Sequence, residues 1–434
     1  MKNLIKFLYF PVISCFFVLA FSNSILARTL DEIFILSYEA AITEPNVVSS
    51  KSMVNSMESN LSSAKRQRLP NFVASITNGI TIDRNVNDRD ALRKYEDEGL
   101  DLQLQMVQPL FTGFKIQSAI DKGKADLQSS ILETNMRIGQ TAIESAVAYI
   151  SYVQESNLSE IIENTLERVS NLLELEKKRF DTGLVDLSYL ASVRIQVSKI
   201  QLFASNQSNN FLNARAIFQR FFPTEELPNE KKLDIIKYNF PTYDIQNDSY
   251  ELAQAKEALR ASKADLSSAI GNRLPSVALT VTGKLYDIDG RKDKEEEEYD
   301  IKGGLQASWQ FLDFGVNRKK VSSARSNVNA RRYYIEHQRR LDEVEKLRLL
   351  ASISRQYQQI KEQYTVLNDI SNQERLLEAQ LTSTKFLGGS LADILHQKIQ
   401  IITAINQLEG NYVIDNLKLA LLTQNLSTFI ARIN

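Results

Sequence analysis

The residue types that most often carry enzymatic or metal chemistry are scarce in this chain. It has one cysteine, Cys15, and two histidines, His337 and His396, among 434 residues. A zinc site draws on clustered Cys and His ligands, and a Cys–His nucleophile needs both types close together. The two histidines fall in separate long helical segments, and no phosphate-cradling glycine pattern accompanies them. The sequence therefore predicts no enzyme, and neither a metal nor an organic cofactor.

Charge is nearly balanced, with 52 basic and 53 acidic residues. A basic footprint for nucleic acid is therefore not expected, and no nucleic-acid partner is predicted. The dense run of charges from Arg291 to Glu298 is interpreted as the solvated tip of a loop, with a cation site as the alternative.

Residues 1–27 are typical of an export signal. Lys2 and Lys6 precede an apolar stretch, and Ala27 offers a small residue at a plausible cleavage point. The apolar stretch is shorter than the roughly 20 residues that a spanning helix needs. Cleavage would remove Cys15, and whether Cys15 is ever lipidated stays open. Beyond the signal no window is apolar enough for a membrane helix, so the exported chain is expected to be soluble or to enter a membrane as a β-barrel.

Long helices are expected from the distribution of helix breakers and apolar residues. Only 15 glycines and 8 prolines occur, and residues 316–387 contain neither. Two segments have apolar residues at the spacings of four and three residues that mark a coiled-coil seam. The seam residues are Leu158, Ile162, Leu166, Val169 and Leu173 in one segment, and Ile353, Tyr357, Ile360, Tyr364 and Leu367 in the other. The predicted helices cover residues 114–180, 186–222, 316–386 and 391–424.

The chain also contains an internal duplication. Leu69-Pro70 recurs as Leu274-Pro275, the segment ending at Gly113 recurs before Gly315, and the Phe180–Leu184 turn recurs at Phe386–Ser390, all at nearly the same offset. Each copy is predicted to contain a helix, a strand, a charged loop, a strand, a very long helix, a glycine turn and a returning helix. The first repeat covers residues 28–222, a linker covers 223–247, and the second repeat covers 248–434.

Apolar and polar residues alternate in four short segments, near residues 70–83, 100–111, 275–287 and 303–313. Leu102, Leu104 and Met106 alternate with Gln103 and Gln105, for example. Segments of about 10 residues suit tilted transmembrane strands, but bacterial barrels begin at about eight strands, so several chains would have to pool theirs. The strand pattern does not choose among two, three or four chains. The alternative is an exported soluble coiled-coil scaffold or adhesin, in which the strands form capping hairpins.

The order of these repeated motifs, and their occurrence once in each repeat, resemble the TolC family of outer-membrane efflux channels. The resemblance rests on the paired Leu-Pro entries, the strand exits of the Gln-Pro-Leu-Phe type and the two glycine turns, and it covers residues 28–425. It implies a mainly α fold with a membrane β-barrel: a homotrimer with a 12-stranded barrel in outer-membrane lipid and a 12-helix tunnel through the periplasm. Residues 223–247 and the C-terminal segment would form a belt around the tunnel.

The resemblance also implies partners and site residues. The partners would be a periplasmic adaptor and an inner-membrane pump of ABC or RND type, and the channel would be a passive conduit for drugs or secreted proteins. Gln103, Gln105, Gln306 and Gln310 would line the barrel. The adaptor would contact Thr182, Gly183, Leu184, Gly388, Gly389 and Ser390. The family's acidic gate positions hold Leu395 and Lys398 in this chain, which leaves Asp393 as the gate candidate.

Overall fold

Seven α-helices and four β-strands are present in the part of the chain that the computed structural model describes, residues 28–79, 99–228, 233–241, 243–285, 299–380, 388–426 and 430–431. The export signal and the charged run at residues 291–298 lie outside the described residues. In chain order the elements are α1 Leu30–Thr43, α2 Pro45–Arg66, β1 Asn71–Gly79, β2 Gly99–Phe111, α3 Lys115–Asp181, α4 Leu187–Phe221, α5 Tyr250–Gly271, β3 Ser276–Leu285, β4 Tyr299–Ser308, α6 Val316–Glu378 and α7 Gly388–Leu422.

Local sequence explains where the first helices begin. Thr29 and Glu32 form a capping box at the start of α1, in which each side chain accepts the other residue's backbone N–H. Pro45 occupies the first turn of α2, where no intrahelical N–H is needed, and the preceding Glu44 is extended (ψ 137°). The chain therefore changes direction between two helices rather than continuing as one.

Two very long helices run the length of the molecule. α3 has 67 residues and α6 has 63, so they extend about 100 Å and about 95 Å at 1.5 Å per residue. Near the sheet α3 packs beside α2 and α5, and α6 packs beside α5. Further away α3 packs beside α4 and α7, and α6 packs beside α7. The expected seam residues lie at these contacts: Leu158, Ile162 and Val169 are buried between α3, α4 and α7.

The four strands form one antiparallel sheet in the order β1-β2-β3-β4. β2 and β3 are paired from Leu102↔Leu285 to Phe111↔Val277, so the sheet joins the two sequence repeats directly. β1 and β4 each have one neighbour, and each leaves one edge open in the single chain.

The predicted fourth strand, residues 303–313, is placed too far toward the C-terminus. β4 pairs with β3 only as far as Ser276↔Ser308, because Pro275, just before β3, has no N–H for a further rung. Beyond Ser308 the chain turns toward α6, where the Asp313 carboxylate accepts the N–H groups of Gly315 (2.9 Å) and Asn317 (2.7 Å). Gln310, which was expected on this strand, therefore lies outside the sheet.

The last two helices also differ from their predicted limits. α6 ends at Glu378 instead of residue 386, and residues 381–387 lie outside the described residues. α7 begins at Gly388 instead of residue 391, because groups from α3 and α4 satisfy its first N–H donors. Gly388, Gly389 and Ser390 are thus the first turn of a helix and not a separate turn.

The segment between the two repeats packs against α1 and the far end of the chain. Phe34 of α1 lies 5.7 Å from the ring of Tyr238 and 6.2 Å from that of Phe240. Leu426 and Ile430 belong to the same apolar cluster, together with Ile235 in a single 3₁₀ turn. Within the described ranges no helix has both the length and the apolar content required to cross a bilayer.

Candidate functional site

The connection between α3 and α4, here called the first tip (residues 180–186), is a compact glycine turn. Gly183 has φ +75°, and the N–H groups of Gly183 and Leu184 bond back to the carbonyls of Phe180 (2.9 Å) and Arg179 (2.8 Å). This is the Schellman arrangement, which needs a left-handed residue just past a helix and therefore favours glycine. The Leu184 side chain is 66% exposed, so the first tip presents an apolar group outward.

The start of α7, here called the second tip (residues 388–390), is held by the helices of the first tip. The N–H of Gly388 donates to Glu176 Oε1 of α3 (3.2 Å), and the N–H of Gly389 donates to the Tyr189 hydroxyl of α4 (3.0 Å). The two sequence-predicted tips are therefore brought together in the structure. A carboxylate suits this position, because a helix N-terminus carries unpaired N–H donors and a partial positive charge.

A side chain at position 388 would have to displace the side chain of Glu176. A Cβ at this position would lie 2.4 Å from Glu176 Oε1 and 2.9 Å from its Cγ. Glu176 is fully buried and also contacts Arg179 Nη1 at 3.3 Å. At Gly389, by contrast, a Cβ would meet only ordinary contacts, the nearest being Val193 Cγ2 at 3.5 Å. Glycine is therefore favoured at 388, since it leaves Glu176 in place, and this steric reason does not apply at 389.

A group of four charged side chains joins three helices a few turns from the tips. Arg168 of α3 lies 2.7 Å from Glu374 of α6 and also pairs with Glu378, while Lys398 of α7 lies 2.6 Å from Glu374. Burial opposes ionisation of Glu374, but the hydrogen bonds from Lys398 and Arg168 outweigh it, so the pKa of this carboxyl lies below its usual value. These ion pairs, here called the three-helix ion cluster, bind α6 and α7 to α3.

The gate candidate Asp393 lies in α7, half-buried, and its carboxylate accepts a hydrogen bond from Gln397 (2.7 Å). Of the two positions where the sequence resemblance implies acids, Leu395 is 1% exposed in the core and Lys398 is part of the three-helix ion cluster. Asp186, beside the first tip, caps α4 by accepting the N–H of Tyr189 (2.7 Å).

The two histidines lie in different surroundings. His396 packs edge-on toward Phe203 (6.5 Å between ring centroids), and burial together with nearby Lys199 lowers its pKa. His337 is exposed on α6. Among the residues with described positions no cluster of His, Cys, Asp or Glu could hold a metal ion.

The register of the sheet collects the alternating residues onto two opposite faces. One face is largely apolar across all four strands, with cross-strand pairs such as Phe72↔Met106 and Leu279↔Leu305. Its side chains are open to solvent in the single chain, with Phe72 73% and Leu305 71% exposed. Asn78, opposite Leu100, and Gln108, opposite Leu279, are polar exceptions on this face. Its apolar members are Phe72, Ala74, Ile76, Leu100, Leu102, Leu104, Met106, Val277, Leu279, Val281, Leu285, Tyr299, Ile301, Leu305 and Ala307.

The other face is polar and contains three of the four predicted lining residues. Gln105 pairs with Thr282, Gln103 pairs with Lys284, and Gln306 lies opposite Ala278 on the same face. Gln310 is the exception, because it follows β4 and leaves the sheet.

Sequence reasoning missed the residues that hold the tips in place. Glu176 and Glu374 look like ordinary helix-surface acids, and their partners lie far away along the chain. A signal was nevertheless present, since each acid falls where a buried seam position is expected: Glu176 is three residues after Leu173, and Glu374 is seven residues, one full heptad, after Leu367.

Comparison with known proteins supports the fold and the sequence resemblance. Residues 36–218 match the family of outer membrane efflux proteins. No curated protein sequence matches the chain.

Three solved structures are similar to this chain over most of its length. A structure of CusC, described in terms of folding and transmembrane channel formation, has a TM-score of 0.78 at 12% identity and covers 90% of this chain and 91% of its own. The Campylobacter jejuni CmeC outer membrane channel has a TM-score of 0.75 at 13% identity over 100% and 97% of the two chains. The open state of the Neisseria gonorrhoeae MtrE outer membrane channel has a TM-score of 0.70 at 11% identity over 92% and 88%. The resemblance seen in the sequence is thereby confirmed: residues 36–218 carry the signature of outer membrane efflux proteins, on a chain with the fold of outer-membrane channels.

Proposed function

We propose that this chain forms the outer-membrane channel of a tripartite export system and acts as a passive conduit from the periplasm to the exterior. The observation that carries the proposal is the sheet, which has one largely apolar face, one largely polar face and two open edges. Lipid does not tolerate unpaired strand edges, so the open edges of β1 and β4 must be covered by pairing between copies.

A homotrimer accounts for these features. Pairing β4 of one copy with β1 of the next gives a closed barrel of about 12 strands, with the apolar face toward lipid and the glutamine-bearing face toward water. The long helices α3 and α6 would extend the passage about 100 Å into the periplasm, and the tips would lie at its far end. Because a polar lining accepts many solutes, selectivity for drugs or secreted proteins would reside in the pump.

Opening of the channel would occur at the tips. We infer that an adaptor contacts the first and second tips, where Leu184 and Leu187 are 66% and 62% exposed. For the tunnel to widen, α6 and α7 would have to move relative to α3 and α4. That motion strains the three-helix ion cluster and the hydrogen bonds to Gly388 and Gly389, which therefore favour the closed arrangement.

Asp393 remains the proposed gate residue, with three copies converging near the axis and binding cations there. Asp393→Asn should then raise single-channel conductance and weaken block by divalent cations. If both properties are unchanged, the gate lies elsewhere.

The decisive experiment compares neighbouring residues on opposite faces of β4. Leu305→Lys places a charge on the apolar face, where a lysine near the bilayer midplane costs about 2–4 kcal/mol per copy. Gln306→Lys places the same charge on the polar face. We expect Leu305→Lys to reduce the heat-modifiable trimer in outer membranes, and Gln306→Lys to leave it intact while shifting the pore toward anion selectivity in planar bilayers.

Equal tolerance of the two substitutions would contradict the assignment of the faces. A wild-type protein that is extracted from membranes by carbonate and gives no conductance would instead support a soluble scaffold or adhesin.

A further inference from the structure

The half of α6 next to the sheet has a strong positive charge. From Val316 to Arg340 the helix has one acidic residue, Glu336, although the whole chain has 52 basic and 53 acidic residues. All the basic side chains in this stretch are exposed. They are Arg318, Lys319, Lys320, Arg325, Arg331, Arg332, Arg339 and Arg340.

Four of these residues, here called the arginine row, follow each other at intervals of seven: Arg318, Arg325, Arg332 and Arg339. Seven residues make two turns, so the row runs along one side of the helix with steps of about 10 Å and a total length of about 30 Å. A row of this length is matched by an extended ligand and not by a single small ion.

The arginine row continues the side of α6 that the linker covers further along. The same seven-residue interval leads to Lys346, whose ammonium donates to the carbonyls of Ile245 (2.8 Å) and Asn247 (2.6 Å). It then leads to Ile353, which packs beside the same segment. In the trimer of the proposed function, on which this inference rests, that segment is on the outside of the tunnel. The arginine row therefore faces the periplasm and not the lumen.

The protein itself offers little to neutralise the row. Arg339 contacts Glu336 at 3.5 Å, but among the described residues no ion pair joins Arg318, Arg325 or Arg332 to an acid. The adjacent helix α5 has three acids. Glu251 lies in its first turn, at the end far from the sheet, and Glu257 and Asp265 already contact Arg260 (2.9 Å) and Lys122 (3.0 Å). α2, which would lie next to α6 across the copy boundary, has a single acid, Glu58.

We propose that the arginine row binds the carboxylate-bearing polymer of the cell wall, peptidoglycan, as the channel passes it. Guanidinium groups bind carboxylates through two parallel hydrogen bonds and are favoured for such recognition. Lipid phosphates are a poorer fit, because the headgroup layer is only about 5–8 Å thick and would reach the first turns of α6 alone. The polymer, by contrast, can lie along the full row outside the tunnel.

The test is co-sedimentation of the purified full-length trimer with isolated peptidoglycan sacculi. The triple variant Arg318→Gln, Arg325→Gln, Arg332→Gln removes three charges from the row. The matched control, Lys319→Gln, Lys320→Gln, Arg331→Gln, removes three charges from other sides of the same stretch. We expect the row variant to lose at least tenfold in bound fraction and the control less than threefold. We also expect wild-type binding to fall steeply between 50 and 300 mM salt, because the interaction is between exposed charges.

Several results would overturn the proposal. Wild-type protein that does not sediment with sacculi, or equal losses in both variants, would mean that the row is not a specific site. If the row variant still bound sacculi but no longer bound vesicles containing anionic lipid, the row would bind lipid. If the row variant had an altered ion selectivity in planar bilayers, the row would face the lumen. Conductance of the wild-type trimer in planar bilayers tests the channel function separately. A protein that is not a channel can therefore be distinguished from a channel that does not bind peptidoglycan.

Discussion

Substitution of the two glycines at the start of α7 tests whether Glu176 holds the second tip. Both Gly388→Ala and Gly389→Ala add one methyl group in the first helical turn, so any gain in helix propensity, at most about 1 kcal/mol, is shared. At 389 the new Cβ meets ordinary contacts at 3.5 Å or more, whereas at 388 it meets Glu176 Oε1 at 2.4 Å and Cδ at 3.0 Å.

The size of the difference follows from these distances. Overpacking a closed site costs about 1–3 kcal/mol, and displacing Glu176 also breaks the 3.2 Å hydrogen bond from Gly388. Because the carboxylate is fully buried, losing that donor costs about another 1 kcal/mol or more. Gly388→Ala should therefore weaken the local structure of the tips by about 2–4 kcal/mol relative to Gly389→Ala.

Limited trypsin digestion of the purified trimer measures this difference. Lys177 and Lys178 are exposed but helical, so cleavage there requires local opening, and its rate follows the open population. At about 1.4 kcal/mol per factor of ten, the Gly388→Ala rate should exceed the Gly389→Ala rate about 30-fold or more. In a Glu176→Ala background the clash is gone, and Gly388→Ala should add little further. Equal cleavage rates for the two single variants would refute the role given to Glu176.

Acidification should loosen the three-helix ion cluster, since the folded-state pKa of Glu374 lies below its unfolded value of about 4.3. The stabilisation from ionised Glu374 is complete above the unfolded pKa and is lost as the pH falls through the folded-state pKa. The open probability in planar bilayers should therefore rise as the pH falls from 6 to 3, and Glu374→Gln should open more readily at pH 6 with little further change; an equal acid response in both proteins would exclude Glu374 as the cause. Gly271→Ala should cost about 3 kcal/mol or more and reduce the heat-stable trimer, because its Cβ would lie 1.9 Å from the backbone carbonyl oxygen of Gly113, whereas Gly304→Ala, with nothing within 4 Å, should be neutral. Gly183→Ala has open space around it but a φ of +75°, so thermal unfolding should show a loss of only about 1–2 kcal/mol, and a larger loss would indicate contacts with a second copy.

The features that could be predicted from the sequence are those that depend on neighbours along the chain. The seam from Leu158 to Val169 follows from helical periodicity, and the left-handed turn at Gly183 follows from the freedom of glycine. The two-sided strands follow from alternation, which a pleated backbone converts into two faces. Each of these properties depends on residues that are only a few positions apart. In the long stretches without Gly or Pro, no residue favours a turn or a break over the helix.

Tertiary structure decided what distant residues do to each other. Gly388 was expected in a free turn, but Glu176 and Tyr189 stabilise it as the start of α7. The end of β4 at Ser308 depends on its partner strand, where Pro275 ends the pairing. No local pattern contains such facts, because the free energy of a buried carboxylate or a missing strand partner depends on which elements pack side by side. The exposed arginine row also depends on both levels. Its seven-residue spacing can be read from the sequence, but only the packing of the linker against Lys346 shows which side of α6 the row occupies.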